Sequence, residues 1–400
     1  MNRTRAALAV VCVALLVVAG GLAWWWRHRP PLPDRLSLQD ATFAELPGWN
    51  ADHLAEAMPA LLRSCAVVER EPPERDLGLA GLAGDWRPVC TAAAALASGD
   101  DAAARHFFEQ YFQPVAASNQ ARPGGLFTGY FEVSLNGSRT PGGRYTVPLY
   151  RRPPDLVMVD LGLFRDDLRG SRIAGRVVDG QLKPYETRAE IDQGALSGKE
   201  LELFWVDDPI AAFFVDIQGS GRIRLEDGST VEIGYVAQNG YPYVPIGRKL
   251  VERGALDAKA VSMQSIRQWL QAHPTEAHKV MEENPSYVFF REIKGGNAVG
   301  AEGVALTPGR SLAVDHRYIP YGVPLWLDTT LPGAAGAPGA PLRRLMLAQD
   351  TGGAIRGPVR GDVFWGFGAE AAETAGHMKQ SGRWWLLLPR PAAARILTKR

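Results

Sequence analysis

The sequence predicts a mainly β protein with attached helices, arranged as two β barrels. Three observations carry this. Residues 126–133, 146–151, 156–161, 201–206, 211–217, 222–226 and 230–236 are short strand-like runs separated by glycine and proline turns. Helical periodicity precedes them and returns after residue 257, so helices attach to one barrel. Three aspartates, Asp315, Asp350 and Asp362, then follow or interrupt apolar runs near the C-terminal end.

The 400 residues suit two domains, and the formal net charge is +1, from 44 basic and 43 acidic residues. No basic stretch interleaves with aromatics, which argues against a nucleic-acid partner. The 7 histidines are scattered without ligand spacing, so no metal and no cofactor is expected. The 11 tryptophans and 11 tyrosines mostly suit cores, and any exposed in a groove suit stacking on sugar rings.

Arg3 and Arg5 precede an apolar run at 6–26 that ends in Trp24, Trp25 and Trp26. That length and aromatic belt read as a membrane anchor. A cleaved signal ending near Ala19, Gly20 and Gly21, or acylation at Cys12, are the alternatives. All three place the body outside the cytoplasm, with an inner-membrane anchor favoured over an outer-membrane one. Cys65 and Cys90 could then form a disulfide or remain two buried thiols.

A proline-rich tether is expected at 29–38. Asn50 reads as the cap of a helix with Leu54, Ala57, Met58, Leu61, Leu62 and Cys65 on one face, kinked or restarted at Pro59. Further helices are expected near 89–96 and 101–112. Arg122, Pro123, Gly124 and Gly125 mark a boundary, after which strands begin. Residues 211–217 read as a strand that turns through Gln218, Gly219, Ser220 and Gly221, and Asp227-Gly228 as a hairpin turn. Helices are expected at 257–273, 275–283 and 369–379, strands from 286 onward and at 384–388, and a small-residue loop at 333–341.

Asp362 is followed by Val363, Phe364 and Trp365. A carboxyl held against such surface resists ionisation and can donate a proton near neutral pH. Asp350 enters a Thr-Gly-Gly turn whose N–H groups would keep it charged, and Asp315 has Arg317 as a natural partner. Carboxyls pushed apart in this way suit glycosidic bond cleavage. The bland alternative is that all three pin turns. Ser220 lacks the spacing and base of a serine nucleophile, and a single Asp350-Thr351-Gly352 would need a dimer to act as an aspartic peptidase.

Several ordered motifs resemble the membrane-bound lytic murein transglycosylase A family, with its domain of three aspartates. They are Gly129-Tyr130-Phe131-Glu132, the run from Phe213 through Gly221, the run from Gln238 through Tyr243, the run from Asn284 through Phe290, and the aspartate segments. The resemblance implies a double-psi β-barrel-like domain from residues 39–124 plus 244–400, an inserted β barrel at 125–243, and glycan in the groove between them. It implies non-hydrolytic cleavage between N-acetylmuramic acid and N-acetylglucosamine, leaving a 1,6-anhydro end. Asp362 would be the acid/base, Asp350 an electrostatic support and Asp315 a structural one. Thr128, Tyr130, Gln218, Ser220 and Gly221 would face the glycan, with Asn239 and Tyr243 as weaker candidates. A monomer acting on peptidoglycan strands is expected. A hydrolase using Asp350 and Asp362, or a wall-binding scaffold without turnover, are the competing functions.

Overall fold

The computed structural model describes residues 33–168, 171–296, 298–333 and 339–398. The expected anchor at 6–26 and residues 334–338 of the expected small-residue loop lie outside them. Among the described residues no helix is long and apolar enough to cross a membrane.

The tether ends sooner than expected. Leu36 already begins β1 (Leu36–Asp40), which pairs antiparallel with β2 (Phe112–Asn119) and buries Leu38. Three helices lie between these strands. Asn50 does not cap the first of them; it sits inside a one-turn 3-10 segment, Trp49–Ala51, followed by a second at Leu54–Ala57. Helix α1 (Met58–Val68) starts only there, with Pro59 in the first turn where its missing N–H has no helical partner to lose. Helix α2 (Ala83–Ala94) begins earlier than its periodicity suggests, because Asp85 accepts the Leu82 N–H at 2.8 Å. Helix α3 (Asp101–Tyr111) is capped by Asp100, which accepts the Ala103 N–H at 2.9 Å. A disulfide between Cys65 and Cys90 joins α1 to α2.

The next strand, β3 (Gly125–Ser138), serves two sheets. It is followed by β4 (Val147–Tyr150) and a three-stranded arm of β5 (Val157–Asp160), β6 (Arg172–Val178) and β7 (Gln181–Pro184). Then come α4 (Arg188–Asp192), β8 (Glu202–Val206), α5 (Pro209–Gln218) and the hairpin of β9 (Ser220–Leu225) and β10 (Thr230–Gln238). Helices α6 (Ile246–Glu252), α7 (Met263–Ala272) and α8 (Pro274–Glu282) lead to β11 (Val288–Ile293). The last segment holds β12 (Ser311–Val314), β13 (Pro324–Thr330), β14 (Pro341–Asp350), β15 (Arg360–Phe367), α9 (Ala369–His377), β16 (Lys379–Pro389) and α10 (Arg390–Leu397).

Residues 211–217 are helical, which corrects the strand expected there. Asp208 accepts the N–H groups of Ile210 and Ala211, and Pro209 sits in the first turn. The helix is buried nearly all round, so its apolar run lacks a polar stripe and reads like a buried strand. Gln218 to Gly221 is therefore a helix-to-strand junction, with Gly219 left-handed at φ +78° as its C-cap.

Strand pairings close two rings. β3, β15, β12, β14, β13 and β16 pair in succession, and β16 returns to β3. In the second ring β3 pairs with β9, β9 with β10 and β10 with β11. A bridge from Phe290 to Arg151 carries β11 to the end of β4, which pairs with β8, which returns to β3. The first half of β3 thus belongs to the aspartate ring and the second half to the other.

The aspartate ring shares one core with α1, α2 and α3, filled by Trp86, Phe108, Phe127, Trp326 and Trp384. The second ring packs Phe204, Phe213, Phe214, Ile223 and Phe290 against Leu250, Leu270 and Val280 of α6, α7 and α8. The boundary expected at residue 243 therefore cuts a core: β11 and these helices bury apolar faces on the inserted ring, in a cluster that also takes Ala371 and Ala375 of α9 and touches Trp365 of β15.

Candidate active site

Asp362 lies in β15 between two neighbours. In register it faces Ala313 on antiparallel β12 and Thr128 on parallel β3. Strand alternation puts Asp362, Phe364, Thr128 and Tyr130 on one face. Phe364 is buried and packs on Tyr130 at 5.2 Å between ring centroids, within an apolar cluster that includes Ala313, Leu306 and Ile355. Trp365 does not wall Asp362, contrary to the sequence expectation. It points to the other face, where a Cβ on Gly129 would stand 2.7 Å from its indole nitrogen.

Thr128 Oγ1 donates to Asp362 Oδ1 at 2.5 Å, and Arg360 Nη2 donates to Thr128 Oγ1 at 2.9 Å. Burial pushes the Asp362 pKa up to about 6, against the pull of the Arg360 charge and the Thr128 hydroxyl, and the Asp350 charge adds to the rise. No direct ion pair to Asp362 occurs among the described residues. A carboxyl in this state can release a proton and take it back near neutral pH. Arg360 was not anticipated, although its position two residues before Asp362 puts both on one strand face.

Asp350 ends β14 and receives three hydrogen bonds. Tyr130 Oη donates to Oδ2 at 2.7 Å, and the N–H groups of Ala301 and Thr351 donate to Oδ1 at 2.9 and 2.8 Å. Burial raises its pKa above the usual carboxylate range, and these three donors oppose the rise. Three donors on one carboxyl suit its ionised form. Tyr130 stays a donor, because burial and the Asp350 charge push its phenol well above the usual tyrosine range.

Asp315 is fully buried just after β12. Arg317 grips it at 2.9 Å from Nε and 2.6 Å from Nη2, and Gly357 N–H adds a third contact at 2.8 Å. Burial works to raise its pKa, but the Arg317 and Gly357 hydrogen bonds outweigh it and hold the carboxyl below the usual range. The three aspartates are thus in three electrostatic states, one raised and unpaired, one anchored by neutral donors and one locked in an ion pair.

The remaining candidates separate. Thr128 and Tyr130 reach the aspartates directly. Gln218 Oε1 accepts the Phe131 N–H at 3.0 Å, tying the end of α5 to β3. Ser220 is buried at the start of β9. Gly221 is a packing position, since a Cβ there would meet the Val133 carbonyl at 2.9 Å and Val215 at 2.7 Å. Asn239 does not face a groove: it is fully buried, donates to the carbonyls of Glu186 and Pro285 at 2.8 Å each, and accepts from the Tyr287 N–H at 2.9 Å. Its role is to clip three backbone segments together, which corrects the sequence expectation. Tyr243 is half-buried, with burial pushing its phenol up to about 12. Among the described residues, the one histidine–carboxylate set close enough to share a cation is Asp192, His278 and Glu282, with ligand atoms within 4.8 Å. The aspartate site contributes nothing to it.

Two family models match the chain, the MltA specific insert domain over residues 126–291 and the 3D domain over residues 310–388. The chain is 32% identical over 349 residues to the membrane-bound lytic murein transglycosylase A of Vibrio cholerae, covering 83% of this chain and 87% of that protein. Its fold matches the membrane-bound lytic murein transglycosylase of Agrobacterium tumefaciens with a TM-score of 0.79 at 38% identity, over 90% of this chain and 99% of that one. It also matches E. coli MltA with bound chitohexaose, with a TM-score of 0.64 at 30% identity, over 83% of this chain and 90% of that one. The matched insert runs through β11, as the second strand ring does. The chain belongs to the membrane-bound lytic murein transglycosylase A family.

Proposed function

We propose that this chain is a peptidoglycan lytic transglycosylase in which Asp362 is the single acid/base. The protonated carboxyl gives its proton to the oxygen between N-acetylmuramic acid and N-acetylglucosamine as the C1–O bond breaks. Positive charge that develops at C1 is stabilised by the Asp350 carboxylate. The C6 hydroxyl of the same muramoyl ring attacks C1, and its proton returns to Asp362. The product carries a 1,6-anhydro end and no water is consumed. Because the nucleophile belongs to the substrate, one carboxyl can act twice.

The observation that carries this reading is the raised, unpaired Asp362 beside an Asp350 already committed to three donors. Hydrolysis needs a second carboxylate free to activate water, and Asp350 is poorly suited to that. A wall-binding scaffold has no use for a carboxyl held near pKa 6. Mass spectrometry of digested sacculi tests the reading. Anhydro-ended muropeptides support it, reducing ends indicate hydrolysis, and no soluble product indicates a binder.

The protein works at the periplasmic murein as a membrane-associated enzyme, with residues 6–26 as an inner-membrane anchor and the body acting as a monomer. Relatives named membrane-bound support the association. The Cys65–Cys90 disulfide suits an oxidising compartment. Fractionation checks the anchor, and an N-terminus near residue 20 in the mature protein overturns it.

A further inference from the structure

Phe367 closes β15, the strand that carries Asp362, yet it is 58% exposed. Simple alternation would turn it away from the acid. Asp362 and Phe364 share one face of β15, and Trp365 takes the other. A bulge reverses that order. Phe364 pairs with Tyr130 but Phe367 pairs with Glu132, so β15 takes up one extra residue between them. Gly366 absorbs it in the left-handed region, at φ +87°. Thr128, Tyr130 and Glu132 alternate along one face of β3, so the Phe367 ring returns to the side that holds Asp362.

The contacts of the ring agree with this register. The Arg222 guanidinium lies over it, 3.8 Å from the ring centroid. Arg222 Nε donates to Glu132 at 3.1 Å, and Nη2 pairs with Glu232 at 2.8 Å, both carboxylates being buried. Nη2 also donates to the Gly296 carbonyl at 3.3 Å. The guanidinium is therefore fixed in place. Arg222 belongs to β9 of the inserted ring and Phe367 to the aspartate ring, so their contact spans the junction where β3 passes from one ring to the other. One face of the phenyl ring is covered by Arg222, and the exposure belongs to the opposite face.

A flat apolar ring, open on one face and braced on the other, stacks on the C–H face of a pyranose. We propose that Phe367 is a sugar-stacking platform for the glycan strand, with Arg222 as the positioning residue that braces it. The four residues of β3 from Thr128 to Glu132 span about 13 Å, so the platform takes a sugar remote from the bond that breaks. Binding of that remote sugar holds the strand in register across the junction and aligns the muramoyl residue at Asp362. Stacking reads the sugar ring and not its substituents, so it serves murein and chitin oligomers alike.

The inference rests on the glycan-cleavage reading, and binding separates the two. Affinities for chitohexaose and for amidase-denuded murein glycan are measured on full-length protein carrying Asp362→Asn, with Phe367 intact and with Phe367→Ala, Phe367→Leu or Phe367→Trp. Phe367→Ala should lose about five- to tenfold on both ligands. Phe367→Leu should lose as much, being apolar but not flat, and Phe367→Trp should keep the affinity. The melting temperature should stay within about 3 °C throughout, because the side chain is exposed. Arg222→Lys keeps a charge between the two glutamates and removes the plane. It should weaken binding only while Phe367 is present, so that the double variant binds no worse than Phe367→Ala. Unchanged affinity in Phe367→Ala, or full affinity in Phe367→Leu, overturns the platform, and additive losses overturn the part given to Arg222. If wild-type protein leaves reducing ends yet these affinities hold, the transglycosylase reading fails and the platform stands. Anhydro products with affinities that ignore Phe367 leave the chemistry standing and the platform refuted.

Discussion

Thr128 and Asp362 face each other across the parallel pairing of β3 and β15, with the hydroxyl donating to Oδ1 at 2.5 Å. This contact opposes burial by favouring the charged carboxylate. The working acid is the protonated form, so turnover should fall as pH rises through about 6, the value that burial sets. Thr128→Val removes the donor and leaves the ionised form less favoured. Its alkaline limb should move upward, by roughly one pH unit at most. The pH–rate profiles of the two proteins decide this, and a downward shift contradicts the role assigned to Thr128.

Asp362→Asn should remove turnover by about a thousandfold or more, since no other group can carry the proton. It should also raise stability. An acid whose folded pKa is raised binds a proton more tightly when folded, so above its unfolded pKa of about 4 the buried carboxylate weakens the fold. Replacing it with a neutral amide should gain about 1–2 kcal/mol at pH 7 and little at pH 4. Thermal melts at both pH values read this directly. A variant less stable at pH 7 means that burial has not raised the carboxyl.

Tyr130→Phe removes one of three donors to Asp350 and little volume. Hydrogen bonds to charged groups contribute about 1.5–3 kcal/mol, so kcat should fall by roughly ten- to a hundredfold. KM should change less, because the lost contact supports charge and not glycan. A change confined to KM makes Tyr130 a binding residue only.

Much of this site was legible because each aspartate closes or interrupts an apolar run, and Asp315 carries its partner two residues on. Part of the environment of Asp362 and Asp350 borders them in sequence, Phe364 on the same strand face and the Thr351 N–H, while Tyr130 and Ala301 come from distant segments. What escaped is where neighbours come from distant segments. Arg360 matters only through Thr128, and β3 must be placed before that is visible. Asn239 is expected at the glycan from its place in the motif shared with the family, yet its partners come from two distant backbone segments, Glu186 and the stretch from Pro285 to Tyr287. The α5 helix lacked a polar stripe, and only Asp208 and Pro209 announced it. The double use of β3 is a matter of pairing, which no single-strand pattern encodes.

Asp315→Asn tests stability and not chemistry. The Arg317 pair is fully buried on the carboxylate side and 34% exposed on the other, so breaking it should cost about 2–3 kcal/mol, less than for a fully buried pair. The folded pKa is depressed, so this contribution is present above the ordinary carboxylate pKa of about 4 and is lost as pH falls through the folded value. The stability difference between wild type and variant should therefore shrink in acid. A variant with normal stability and lost turnover would move Asp315 into the chemistry.

The disulfide gives the last prediction. Cys65 and Cys90 are 25 residues apart and tie α1 to α2, the helices that share a core with the aspartate ring. Closing a loop of that length restricts the unfolded chain by about 3 kcal/mol. Both cysteines are buried, so serine at either position adds a small polar penalty. Cys65→Ala with Cys90→Ala isolates the link. Urea unfolding should show a lower midpoint with a stability loss of about 3 kcal/mol, and reductant should bring wild type to the same value. Turnover at 25 °C should persist, because β12 keeps its pairing with both β14 and β15. Loss of turnover with the midpoint unchanged would mean that the α1–α2 link positions the site and does not merely hold the fold.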